Sequence, residues 1–224
     1  MTILTVGDSF TFGAELSDVP EYLDLTGQHY WDNASLSLIK ANPSQLAWPA
    51  LLAKKFNQSV DNHGVVGISN DRIFRHTIAT TAKNQYSLVI CAWTALERLD
   101  ISYEGKEVCV SANTSRWEWV KSYYADHYDH AKETEKWLVQ ILGMQSYFQQ
   151  KNQKYIFINT MPMSTFPAHN YLIREIDFNY FINWDSSMQD LCKDVPVGKQ
   201  GHFLEQGHEI VADHIYNFIK QSQR

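Results

Sequence analysis

Apolar positions fall into two kinds of run along the chain. Thr2-Ile3-Leu4-Thr5-Val6, Tyr86-Ser87-Leu88-Val89-Ile90-Cys91-Ala92 and Tyr155-Ile156-Phe157-Ile158-Asn159 are short and apolar almost throughout. Runs of this length, rich in β-branched residues and without strict alternation, predict strands of a parallel sheet covered on both faces. A short strand is also predicted near Ser59-Val60. Between these runs the period lengthens. Leu46, Trp48, Leu51, Leu52 and Phe56 recur at helical spacing behind Ser44, a candidate cap, and Pro49 confines regular hydrogen bonding to the later turns. Helices are further predicted from about Asn70 to Thr81, over His130 to Gln150 with Trp137, Leu138, Ile141, Leu142 and Met144 on one stripe, and from about Glu205 to Gln221 with Ile210, Val211, Ile215, Phe218 and Ile219 along one side.

Strand and helix alternate four times, which predicts an α/β fold: a three-layer α/β/α sandwich with a mainly parallel sheet, flavodoxin-like in type. One domain over residues 1–224 is expected, with irregular insertions at about 17–43, 94–128 and 160–200, since these stretches hold no sustained period. Ligands of such sheets sit beyond the carboxyl ends of the strands. Ser9, Gly67 and Thr94 each follow a predicted strand or its loop, and so fall on that edge.

Composition narrows the class. A net charge of −6, with Lys54-Lys55 as the longest basic cluster, excludes a general nucleic-acid binder, which needs Lys and Arg gathered on one face. Three cysteines without framework spacing point to free thiols rather than a disulfide scaffold. The first residues lack a basic segment followed by an apolar one, and no run reaches the ~20 apolar residues of a membrane span, so a soluble, cytoplasmic protein without membrane association is expected. Seven Trp, twelve Tyr and eleven Phe gather partly at Trp117 to Tyr128 and Tyr171 to Trp184, where they either pack or line a groove for a flat or sugar-like ligand.

The chemistry centres on Val6-Gly7-Asp8-Ser9-Phe10. Gly, Asp and Ser all favour turns, so alone the segment reads as a turn. A serine nucleophile also needs a base and oxyanion donors from elsewhere. The nucleophile-elbow pattern G-x-S-x-G is excluded because Thr11 stands where its second Gly belongs. His127, Asp129 and His130 have no second ligand pair to make a metal site. Gly64-Val65-Val66-Gly67 is too short for a dinucleotide fingerprint, so neither metal nor cofactor is expected.

Gly7-Asp8-Ser9-Phe10 near the N-terminus resembles the first block of the SGNH, or GDSL, hydrolases. Asn62 to Asn70, with Gly67-Ile68-Ser69-Asn70, is similar to the second block, and His202 followed five positions later by Gly207-His208 is similar to the last. The blocks occur in the family's order from residue 7 to 208. The resemblance implies a serine esterase with Ser9 as nucleophile, His202 as base with His208 as its rival, and an oxyanion held by the backbone N–H groups of Ser9 and Gly67. It implies a short acyl ester, acetyl-like, on a carbohydrate or small polar molecule as substrate. Two positions depart from the pattern. Thr94 stands where the family's oxyanion Asn belongs, leaving a hydroxyl as the third donor. Lys199 stands where the triad acid belongs, so Asp194 or Asp185 is expected to approach His202, or a backbone carbonyl orients it and leaves a Ser–His dyad.

Asp8, Asn70, Trp93 and Arg98 are candidate substrate-binding residues on the same edge. Their structural alternatives are loop-amide bonding for Asp8, helix capping for Asn70 and Asp71, and an ion pair with Glu97 or a neighbour for Arg98. Two other functions use the same residues or fold: O-acyl transfer to a hydroxyl acceptor, and a non-catalytic carbohydrate- or peptide-binding domain.

Overall fold

A computed structural model of the chain describes residues 1–19, 42–103, 105–112, 117–164 and 167–222. Five strands, β1 (Thr2–Gly7), β2 (Ser59–Gly64), β3 (Leu88–Trp93), β6 (Tyr155–Asn159) and β7 (Phe181–Ile182), form one sheet in the order β2-β1-β3-β6-β7. Every pairing within it is parallel. The helices are α1 (Ser9–Phe12), α2 (Trp48–Phe56), α3 (Asn70–Lys83), α4 (Glu118–Asp126), α5 (His130–Gln150), α6 (Asn170–Ile173), α7 (Met188–Leu191) and α8 (Glu205–Ser222).

The apolar runs work as two-faced strands because side chains alternate across a sheet. Leu4, Val6, Val89, Cys91, Trp93, Tyr155 and Phe157 face α3 and α5, packing on Ile73, Trp137, Leu138, Ile141 and Phe148. Ile3, Ile90, Ala92, Ile156 and Ile158 face α2 and α8, against Trp48, Leu52, Val211, Ala212 and Ile215. Each fully buried Leu, Ile or Phe contributes roughly 1.5–3 kcal/mol, so these two cores hold the three-layer α/β sandwich together. No helix among the described residues is long and apolar enough to cross a membrane.

Differences from the sequence expectation have local causes. Strand β2 runs to Gly64, well past Ser59-Val60, because its polar residues 61–64 are zipped to β1 in register, ending at Gly7↔Gly64. The end must be glycine, since a Cβ on Gly64 would lie 2.3 Å from the Phe12 amide nitrogen. Helix α2 begins at Trp48 with Pro in its first turn and Ala47 at its cap, while Ser44 instead bonds Asp18 and the Leu46 amide. The stretch 94–128 is not irregular: β4 (Leu99–Tyr103) and β5 (Lys106–Val110) form an antiparallel hairpin, followed by α4. Most of the insertion expected at 17–43 lies outside the described residues. Residues 160–200 carry α6, α7, two short 3-10 turns and β7.

Candidate active site

Strand β1 ends at Gly7, and Asp8 turns the chain into α1 by accepting the Phe10 amide on Oδ1 at 3.0 Å. This cap places Ser9 as the first residue of a one-turn helix beyond the carboxyl end of the sheet's second strand. The helix stops at Gly13, which is left-handed with φ 86° and whose N–H returns to the Ser9 carbonyl. Two residues on, Glu15 also adopts positive φ, 67°. An L residue there carries backbone strain of about 1 kcal/mol or more, sustained only by surrounding contacts.

Those contacts come from the loop before α8. The Glu15 carboxylate accepts the Gln200 amide at 3.0 and 3.1 Å and the His202 amide at 3.3 Å. It also lies 2.9 Å from His202 Nδ1, and His202 Nε2 lies 2.7 Å from Ser9 Oγ. Ser9, Glu15 and His202 are all buried. Burial pushes the Glu15 carboxyl up, but the bonds from His202 and Gln200 and the attraction of the imidazole together outweigh it and hold it below the usual carboxylate range. An ionised carboxylate only accepts, so His202 donates from Nδ1 and presents Nε2 as acceptor for the Ser9 hydroxyl proton. The His202 ring meets Phe10 edge-on at 4.9 Å, and Phe203 packs on Phe10 at 4.8 Å, fixing the imidazole plane.

The acid expectation is therefore corrected. Asp194 and Asp185 are both exposed, and the carboxylate at the His202 ring belongs to Glu15, six residues after Ser9. His208, the rival base, is buried in the scaffold: its Nδ1 accepts the Trp48 amide at 3.1 Å and its ring packs on Phe203 at 4.7 Å.

Gly67 sits at the third position of a turn in which Ile68 N–H reaches the Val65 carbonyl at 3.3 Å, with φ 72°, the left-handed value a type II turn asks of that residue. The turn is tied to β1 through Val65 N–H and the Gly7 carbonyl at 2.9 Å. Among the described residues, neither the Ser9 nor the Gly67 amide has a hydrogen-bond acceptor within the fold.

Thr94 is a second correction. Its hydroxyl donates to Asp8 Oδ2 at 2.7 Å and accepts from Arg98 Nη1 at 2.7 Å, and its amide donates to Asn70 Oδ1 at 2.8 Å. A hydroxyl carries one proton, so none is left for an oxyanion. Asn70 returns a bond from Nδ2 to the Thr94 carbonyl at 2.8 Å and so clamps that backbone, while Ser69 caps α3. Asp8 is fully buried, taking bonds from Thr94, Thr160 and Arg98, and Trp93 lies wholly in the core, so neither is placed to bind substrate. Arg98 pairs with Asp8 at 3.3 Å rather than with Glu97.

Two aromatics of the insertion, Trp119 and Tyr123, border a cavity, while Trp117, Tyr124 and Tyr128 pack against neighbouring rings. About 290 Å³ lies between the β4–β5 hairpin, α4 and α5, bordered by Leu99, Ile101, Trp119, Tyr123 and Glu133. Asp129 caps α5 and His130 lies by the Tyr128 hydroxyl; among the described residues no three His, Cys, Asp or Glu side chains gather to hold a metal ion.

Protonation couples this site to stability. Burial lowers His208 from its ordinary 6.5 to about 3, with repulsion from His202 adding to the effect. A depressed folded-state pKa gives stability that is complete above pH 6.5 and lost as pH falls, here by about 2 kcal/mol at pH 5 from His208 alone. His76 and His214 are lowered in the same direction, again chiefly by burial, and Glu15 adds a loss below pH 4.5. Melting curves are expected to show the midpoint falling from pH 6.5 to 5 with a shallower slope in His208→Gln; equal slopes would remove His208 from this linkage.

A family model described as a family of unknown function matches residues 37–224. No protein of curated function matches the chain by sequence. Solved structures similar in fold include TesA (12% identity, 99% of each chain, TM-score 0.54) and the acetyl xylan esterase AlAXEase (10% identity, 97% and 98%, 0.52). Another is the psychrotrophic esterase EstA from Pseudoalteromonas sp., in a structure inhibited by monoethylphosphonate (12% identity, 98% and 97%, 0.51). At such identities the likeness establishes the fold alone, an α/β sandwich shared with these structures.

Proposed function

We propose that this chain, which belongs to the family of unknown function DUF6071, is a serine esterase that releases a short, acetyl-like acyl group from a carbohydrate or other small polar alcohol. The observation that carries the reading is the unbroken line Ser9 Oγ–His202 Nε2 at 2.7 Å and His202 Nδ1–Glu15 Oε2 at 2.9 Å. Nucleophile, base and orienting acid stand in the order that acyl transfer requires.

In the proposed reaction Ser9 Oγ attacks the acyl carbonyl while its proton passes to His202 Nε2, and the carbonyl electron pair moves onto oxygen. The Ser9 and Gly67 amides donate to that oxyanion. Collapse expels the alcohol, which takes the proton from His202, and leaves Ser9 acylated. Water, deprotonated by His202, then attacks the acyl carbon and frees the acid. Glu15 stays ionised throughout and stabilises the imidazolium. The choice of acetyl is supported by likeness to a structure named as an acetyl xylan esterase.

The test is acetate release from p-nitrophenyl acetate and from glucose pentaacetate, with and without methanol as competing acceptor. Acetate formed with each alcohol released is the expected result. Methyl acetate formed faster than acetate would move the reading to acyl transfer, and absence of turnover would overturn it.

A further inference from the structure

We propose that Arg98 is a catalytic residue, its guanidinium supplying the charged oxyanion donor that Thr94 cannot. The inference rests on the esterase reading and extends it to a residue beyond the Ser–His–Glu line.

Three observations lead to Arg98. First, Thr94 follows the last residue of β3, and β3 is the immediate neighbour of β1, so Thr94 and Ser9 emerge side by side at the carboxyl edge of the sheet. All of Thr94's donors are engaged, its hydroxyl by Asp8 and its amide by Asn70. Second, the chain turns after β3, with Arg98 N–H returning to the Ala95 carbonyl at 3.3 Å, and the side chain folds back over Thr94 and Asp8. Nη1 thus rests 2.7 Å from Thr94 Oγ1 and 3.3 Å from the carboxylate that precedes the nucleophile.

Third, Arg98 is only partly used. Among the described residues both of its hydrogen bonds come from Nη1, leaving Nε and Nη2 hydrogens free to donate, while the side chain is 17% exposed. Hydrogens left free in this way can donate to an acceptor that arrives at the edge of the sheet. A negative oxygen formed at the carbon attacked by Ser9 is such an acceptor, and a charged donor serves it better than a neutral one. The fully buried Asp8 carboxylate, one residue from Ser9, would repel that oxygen, and the same guanidinium offsets it. No covalent bond to Arg98 forms or breaks; it donates hydrogen bonds that strengthen as the carbonyl electrons move to oxygen.

A purely structural Arg98 would only neutralise Asp8, and variants separate the two roles. With p-nitrophenyl acetate, Arg98→Gln is expected to lower kcat by about 10²–10³-fold with KM within about threefold, and Arg98→Lys to recover part of the loss. Affinity for an aryl trifluoromethyl ketone, whose adduct with Ser9 carries the oxyanion, should fall in proportion to kcat/KM. If Arg98 only balances the Asp8 charge, adding Arg98→Gln to an Asp8→Asn protein lowers kcat no further; on the present account it lowers kcat there as well. Melting midpoints identify any unfolded variant, in which case the Arg98→Lys ketone affinity decides. An active wild type whose Arg98 variants keep kcat, or lose it without losing ketone affinity, overturns the assignment alone. An inactive wild type that no ketone inhibits overturns the esterase reading and this inference with it.

Discussion

Glu15→Gln is expected to lower kcat for acetyl-ester hydrolysis by about 10²–10⁴-fold while leaving KM nearly unchanged. The carboxylate does three things that an amide cannot do together. It accepts the Nδ1 proton of His202, which fixes the tautomer that leaves Nε2 free for Ser9. It accepts the Gln200 and His202 amides on its remaining lone pairs, which holds the loop carrying His202 against α1. Its charge stabilises the imidazolium formed when Ser9 loses its proton. A glutamine places an NH₂ group against at least one of these donors and carries no charge. Asp194→Asn in the same assay is expected to stay within about twofold of wild type, because that side chain is exposed and the position beside His202 is occupied. Equal losses in the two variants, or none in Glu15→Gln, would remove Glu15 from the mechanism.

Ser9→Ala is expected to have the larger effect, a loss of kcat on the order of 10⁶-fold, because no other group in the line can form the acyl-enzyme. The same change should scarcely alter the melting midpoint. Ser9 is buried, but the lost interaction is a single hydroxyl–imidazole bond worth about 1 kcal/mol. An inactive protein of near-native stability separates loss of chemistry from loss of fold.

The three short apolar runs are legible as strands because a strand buried on both faces needs little but apolar residues, and both of its faces are filled here. Strand β2 is legible only at Ser59-Val60, since Asp61 to Gly64 carry no apolar side chain and only their register with β1 makes them a strand. The hairpin at 99–110 did leave a signal: Leu99 and Ile101 alternate with polar residues and pair with Val110 and Val108 across a turn at Gly105. Its short period is easily lost between longer elements. Ser9, Gly67 and His202 are singled out in the sequence by the resemblance of their segments to the family's blocks. Glu15 is not, because its approach to His202 depends on the left-handed turn at Gly13 and its own positive φ, neither of which a residue pattern encodes. Its carboxylate also fills the space beside Gly198, where a Cβ would lie 2.6 Å from it, so a glycine 183 residues away is part of the same arrangement. Thr94 reads as a donor from its position alone; only the buried Asp8 beneath it reveals that its proton is engaged.

The most direct measurement is the intact mass of the protein after exposure to a fluorophosphonate. Wild type is expected to gain one phosphonyl increment, mapped by peptide fragmentation to Ser9, with Ser9→Ala gaining none and Glu15→Gln reacting far more slowly. A wild-type protein that is folded and unlabelled at high reagent concentration, or labelled on a residue other than Ser9, would contradict the assignment of Ser9 as the nucleophile.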